Sequence, residues 1–451
     1  MFASSANVTN AFAEPEEIPT KTTSRLSRGI PDGDATPRDT ILAPLSIETL
    51  LQVDWVLYRQ SSEDELNVDG EPLNEERIVL RRGRLRVSAT RGPAAGTLEL
   101  DANTNSGPTV RPYEATVGLH LFRSGNARQS TEPSLLETTP ALLTLDTEGH
   151  RLDVSIQGGL LRIPFGYENG EREPLRPLLE KSLGTRAFFA SGRDLGMVVA
   201  AYLPPLRFEL GYMNGEPLDE WRYSGLDPTS AKDLVARTHV VVPLSRRFTF
   251  NVGFSGLSGV GFHSGDAAVK PTLLWLDSNE NGLVELSELT ATSGRPATAS
   301  KTFKRDALGV DLSGQINWER VGKTEFVAEI VRSKNLDRGL FPADPVSQGR
   351  DLRELGWSVR VSQEIGNVGQ LAFRYAYYDP DADSTRTKLD SVIPTNASLS
   401  LWSFSASVRT ASTRFLLEYD HNNDHRGRNI LGSPVRLRDD ALTLRMELKM
   451  P

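Results

Sequence analysis

The sequence predicts an all-β chain: a transmembrane, antiparallel, up-and-down β-barrel of about sixteen strands, with long loops at one rim and one of them folded inward. Three observations lead there. From Ile47 to the end, segments of about ten residues alternate apolar with polar or small side chains, the pattern of a strand that faces two environments. Tight turns alternate with long polar loops, as they do where short turns gather at one rim of a barrel and long loops at the other. Hydrophobic residues are 38% of the 451, and no apolar run reaches the ~18 residues of a spanning helix. A barrel needs only alternate residues apolar.

Residues 1–45 read as an N-terminal extension outside the barrel. Ala11-Phe12-Ala13 has the form of an A-x-A cleavage site, so residues 1–13 are readable as a signal-peptide remnant. The stretch that follows, rich in Pro, Thr and charge, is expected to be loosely ordered. The barrel is expected over 46–451. Leu51, Val53, Trp55 and Leu57 share one face of its first strand. In RIVLRRGRLRVSAT (77–90) Leu85 and Val87 oppose Arg82, Arg84 and Arg86, and the parity slips near Arg81, which predicts a bulge. Strands follow at 96–103 and 113–122. The stretch 123–149 stands where a short turn belongs and is open to reading as a periplasmic plug, a short helix or an extra hairpin. LDVSIQGGLLRIPFG then runs into a charged segment, 164–193, before two strands that meet at Pro204-Pro205. Further strand pairs meet at Pro243-Leu244-Ser245, at 319–322, at Gly366-Asn367 and at Ala411-Ser412, and 440–450 closes the chain. The expected long loops are 61–76, 105–112, 164–193, 215–231, 259–305, 334–354, 380–399 and 422–439.

Alternation also assigns faces. The apolar set faces lipid, because a closed ladder satisfies every backbone group. The other set faces the lumen and carries Arg82, Arg84, Arg86, Arg207, Arg237, Arg360, Arg374, Arg409, Arg414 and Arg445. It also carries Glu99, Asp101, Glu209, Asp311, Glu325, Glu329, Glu418 and Glu447. The expected lumen is polar, mixed in sign and moderately cationic. A net charge of -8 argues against nucleic-acid binding. The absence of Cys excludes disulfides and thiolate metal sites. No nucleophile elbow, HExxH or phosphate-cradling glycine loop occurs, so no enzyme is expected.

One loop carries separate chemistry. Asp277, Asn279, Asn281, Gly282, Glu285 and Glu288 follow the spacing D-x-[DN]-x-[DN]-G-x5-E. Asp277, Asn279 and Asn281 would offer side-chain oxygens, Leu283 its carbonyl, Glu285 a water-mediated contact and Glu288 a bidentate carboxylate to Ca²⁺. This predicts a structural Ca²⁺ site within the insertion at about 259–305.

The arginine-rich strand LRRGRLRVSAT with its LELD and YEATVGL successors, the strand GGLLRIPFG, and FFASGRDLGM followed by ELGYMNGE resemble the phosphate-selective porin O and P family. The likeness spans roughly 50–451 and is carried mainly by 77–216. It implies a bacterial outer-membrane porin, usually trimeric, passing anions such as phosphate, with 164–193 folded into the pore. Carried over by position, it implies that Arg162, Arg172, Arg176, Lys181, Arg186 and Arg193 line the constriction, beside Arg82, Arg84 and Arg86 on the wall. The same stretch holds Glu168, Glu171, Glu173, Glu180 and Asp194, which are placed to pair with these arginines. The implied activity is passive diffusion of small anionic or polar solutes. The alternative is a plugged structural or adhesive barrel with a Ca²⁺-braced surface loop.

Overall fold

The computed structural model describes residues 45–58, 76–105, 107–123, 152–215, 229–245, 247–276, 278–279, 281–388, 391–394, 397–425 and 440–450. The N-terminal extension, the 124–151 insertion and Asp277 lie outside them. In chain order the first strands are β1 (Leu45–Tyr58), β2 (Arg77–Arg91), β3 (Ala94–Asn103), β4 (Thr109–Arg123), β5 (Asp153–Arg162), β6 (Arg193–Leu203), β7 (Leu206–Met213) and β8 (Asp233–Pro243). They continue as β9 (Phe248–His263), β10 (Thr272–Trp275), β11 (Leu289–Thr292), β12 (Lys301–Trp318), β13 (Gly322–Lys334), β14 (Arg353–Ile365) and β15 (Gly369–Asp379). The last are β16 (Thr385–Lys388), β17 (Ser391–Pro394), β18 (Leu399–Arg409), β19 (Thr413–Asp424) and β20 (Ala441–Met450).

Sixteen of these form one closed antiparallel barrel, each paired with its sequence neighbour. β20 returns to β1 in the register Thr49 opposite Met450 to Tyr58 opposite Ala441. The ring therefore has no free edge, as lipid requires. The other four strands make two small hairpins, β10–β11 and β16–β17, inside long loops.

The alternation holds on the walls. On β20, Leu444 and Met446 are exposed outward, while Arg445 and Glu447 are buried inward. Phe404 is about half exposed at the middle of β18. Phe404→Arg is expected to destabilise the barrel in bilayers by roughly 2–4 kcal/mol, read by urea titration of the refolded protein.

The bulge predicted at Arg81 is present: Gln52 faces Arg82 and Val53 faces Leu80, leaving Arg81 unopposed. Two more, at Tyr113 between β3 and β4 and at Leu121 between β4 and β5, were not signalled by parity. The long loop expected at 105–112 is corrected to 104–108, because β4 begins at Thr109. Pro112 and the Tyr113 bulge interrupt its alternation, which hid the start of the strand. The insertion expected at 259–305 is likewise shorter, since β9 extends to His263 and β12 starts at Lys301.

Candidate functional site

Between β5 and β6 the chain turns into the lumen. Gly166 has φ 67°, in the left-handed region where glycine is favoured. A Cβ there would lie 2.3 Å from the Glu329 carboxylate. Entering the barrel strips backbone N–H groups of water, and each needs an acceptor. The wall supplies them. Ser255 Oγ accepts from Gly166 N at 3.0 Å, and Glu329 Oε2 accepts from Tyr167 N at 2.9 Å and Glu168 N at 3.0 Å.

Two short helices follow, α1 (Tyr167–Gly170) and α2 (Leu183–Phe188). The buried Glu168 carboxylate ties them together. It accepts from Ser182 N at 2.9 Å, from Ser182 Oγ, and from Thr185 Oγ1 at 2.8 Å. α2 lies directly on β14, where a Cβ on Gly356 would stand 2.9 Å from Gly184 Cα. Phe165, Phe188 and Phe189 form an apolar cluster with the wall residues Val198, Val235, Val331 and Tyr378. The predicted inward loop is thus a packed element with its own core.

Charge pairing fixes the rest. Glu180 accepts from Arg82 at 2.9 Å, Arg81 at 3.0 Å and Arg445 at 3.1 Å. Burial alone would raise Glu180, but these arginines outweigh it and hold the carboxyl well below its usual range. Glu173 is also held well below that range; Arg84 at 2.8 Å and Arg82 overcome its burial. Arg360 grips Glu171 with two bonds of 2.7 and 2.8 Å, both partners buried. Other wall side chains bind loop carbonyls: Arg374 to Glu180 O at 2.6 Å, Arg414 to Arg176 O at 2.8 Å, Arg445 to Leu179 O at 2.9 Å and Ser405 Oγ to Pro177 O at 2.8 Å.

The predicted residues fall into four groups. Arg82 and Arg84 are loop anchors. Arg176 is enclosed, its Nε 3.6 Å from Glu171. Arg193 is buried against Tyr113, which is sandwiched with guanidinium carbons 3.6 Å (Arg193) and 3.4 Å (Arg84) from its ring centre. Lys181 donates to Asn169 Oδ1 at 2.8 Å, and burial, with Arg176, Arg193 and Arg162 nearby, pulls its ammonium down to about 7. Arg186 stands apart on the exposed side of α2. Arg86, Arg162 and Arg172 border open space beneath the loop.

That space is a cavity of about 90 Å³ on the β4–β9 side, and its border also includes Arg207 and Arg237. Arg207 holds Glu209 at 2.8 Å and Arg237 holds Asp311 at 3.0 Å. Both acids are buried, 1% and 2% exposed, while the arginine side chains keep 16% and 10%. Glu209, Asp311 and Glu114 border the same space, and Glu209 and Asp311 are each less exposed than the arginine they pair with. A second opening of about 450 Å³ lies near the 366–369 turn, bordered by Glu325 and Glu364 against Lys323 and Arg409.

No family model and no curated protein matches the chain. Among solved structures, the outer membrane channel DcaP of Acinetobacter baumannii aligns over 91% of this chain and 99% of its own, with TM-score 0.51 and 10% identity. The two share a fold. The anion-selective porin of Comamonas acidovorans aligns at TM-score 0.47 and 11% identity over 90% of this chain and 99% of its own. Pseudomonas putida OprB aligns at 0.47 and 9% over 90% and 94%. With its apolar outer face and closed sixteen-strand ring, the chain is a barrel of the bacterial outer membrane.

Sequence reasoning missed Glu329, Ser255 and Tyr113 as loop-holding groups. Parity had placed Glu329 in the lumen, but nothing local tied it to Tyr167, 162 positions away. In the loop for which Ca²⁺ binding is expected, Gly282 takes φ 71°. Asn279 Oδ1 accepts from Asn281 N at 3.1 Å, and Asn281 Oδ1 from Leu283 N at 2.7 Å. Glu285 accepts from the Asn281 amide at 3.0 Å. Glu288 is turned to Trp275 Nε1 at 3.0 Å and Ser278 N at 3.1 Å. Among the described residues no three His, Asp or Glu side chains gather as a metal group.

Proposed function

We propose that the protein is a porin, a passive diffusion channel for small hydrophilic solutes with an anion bias, phosphate among the anions carried. The observation that supports this most is the border of the β4–β9 cavity, where Arg86, Arg162, Arg172, Arg207 and Arg237 outnumber the acids Glu114, Glu209 and Asp311. A solute passing there meets charge-assisted donors, yet each guanidinium stays anchored and does not trap the ion. Purified protein in planar bilayers under a KCl gradient is expected to give discrete conductance steps and a chloride-biased reversal potential, with phosphate reducing the chloride current. A folded, heat-modifiable barrel without conductance would overturn this in favour of a plugged structural barrel.

The bias should depend on pH. Lys181 keeps its proton below about pH 7 and loses it above, so chloride preference is expected to fall as pH rises from 6 to 8. Lys181→Met should abolish that step; an unchanged step would assign it elsewhere.

A homotrimer is proposed to meet on the outer face of β2–β6. Exposed aromatic side chains such as Phe208, Tyr212, Trp402, Phe404 and Phe415 decorate other strands, and none occurs on β2–β6 among the described residues. Aromatic side chains favour the lipid–water boundary, so their lack suits a protein contact. Native mass spectrometry reads the stoichiometry. For the 277–288 loop we propose weak Ca²⁺ binding by Asp277, Asn279, Asn281, Leu283, Glu285 and Glu288, whose oxygen donors suit that hard cation. Calorimetry with CaCl₂ should show saturable heat that Asp277→Ala removes.

A further inference from the structure

We propose that the β4–β9 cavity is a subsite for a one-ring organic anion, with its carboxylate toward Arg207 and Arg237 and its ring against the apolar wall. The proposal rests on the channel reading and names a solute class for it. Inorganic anions need donors alone, and this cavity offers more. Its border carries Ile163, Pro164, Phe165, Val198 and Val241 beside the arginines. Burying apolar surface there favours a solute with a hydrocarbon body, whereas a fully hydrated ion gains nothing from it.

The polar side of the cavity has donors to spare. Arg207 and Arg237 each spend Nη2 on a buried acid, and a guanidinium has five N–H groups in all. His239 stands opposite Arg207 in the β7–β8 register and also borders the cavity. Its Nδ1 is buried and has no hydrogen-bond partner within the protein.

The test uses the purified full chain with sodium benzoate, sodium acetate and sodium phosphate as probes. KCl current in planar bilayers and calorimetry in detergent are measured in parallel. Benzoate is expected to half-block the current at a concentration at least about tenfold below acetate or phosphate, the ratio that a buried ring supplies. Val241→Thr, similar in shape but polar, should cut that preference at least threefold, and Arg207→Lys should weaken benzoate and acetate together. Benzoate no better than acetate, or a preference untouched by Val241→Thr, overturns the subsite. If no conductance is seen, the channel reading fails, and calorimetric binding of benzoate still decides the subsite.

Discussion

Excision of residues 167–190, with Gly166 joined to Ser191, is expected to raise single-channel conductance several-fold while the barrel still assembles. The removed segment fills the lumen: it carries both short helices, the Phe188–Phe189 part of the inner core and the acids Glu168, Glu171, Glu173 and Glu180. The walls do not depend on it for their main-chain pairing, since each of the sixteen strands is bonded to two neighbours. What the excision exposes is a set of arginines on β2, β14, β15, β19 and β20, which water solvates once the loop is gone. Conductance that stays at the parent level in a heat-modifiable, folded product would mean that the loop is not the constriction.

Arg360→Ala is expected to loosen the loop by about 3–5 kcal/mol, the usual consequence of stranding one member of a buried ion pair. Glu171 would then keep its charge in an enclosed site, having lost both guanidinium bonds of 2.7 and 2.8 Å. The barrel ladder lies elsewhere, so the change should appear as faster hydrogen exchange and proteolysis in 167–190, with little shift in global unfolding. The double variant Arg360→Ala, Glu171→Ala should recover part of the protection, because the stranded Glu171 charge is gone while Arg176 loses its carboxylate neighbour. Equal exchange in the single and double variants would show that the pair is not coupled to docking.

These two results bear on different levels of legibility. The wall was readable because a strand repeats every two residues, so each wrong register flips a whole face. The same rule exposed the bulge at Arg81, where two like-facing residues follow one another. It failed at β4, where Pro112 and the Tyr113 bulge broke the alternation. Inside the lumen the reading was partial for a physical reason. Parity says which residues point inward, and it said so for Arg360 and Glu329. It says nothing about what they meet, since Glu171 and Arg360 are 189 positions apart and join only after the barrel closes. Arg82, Arg84, Arg176 and Arg193 were therefore expected as solute contacts and proved to be held by the loop or enclosed beside it. Arg207 and Arg237 were expected only as wall charge, and they border the open cavity.

The wall grips the loop partly by its main chain, through the carbonyls of Arg176, Pro177, Leu179 and Glu180. A carbonyl is present whatever side chain a codon specifies. Drift at exposed loop positions such as Leu175 and Arg186 can therefore alter what faces the solute path while the clamp persists. Such a barrel can acquire new preferences by small steps, each passing through a folded and docked intermediate, with selectivity free to vary and seating conserved.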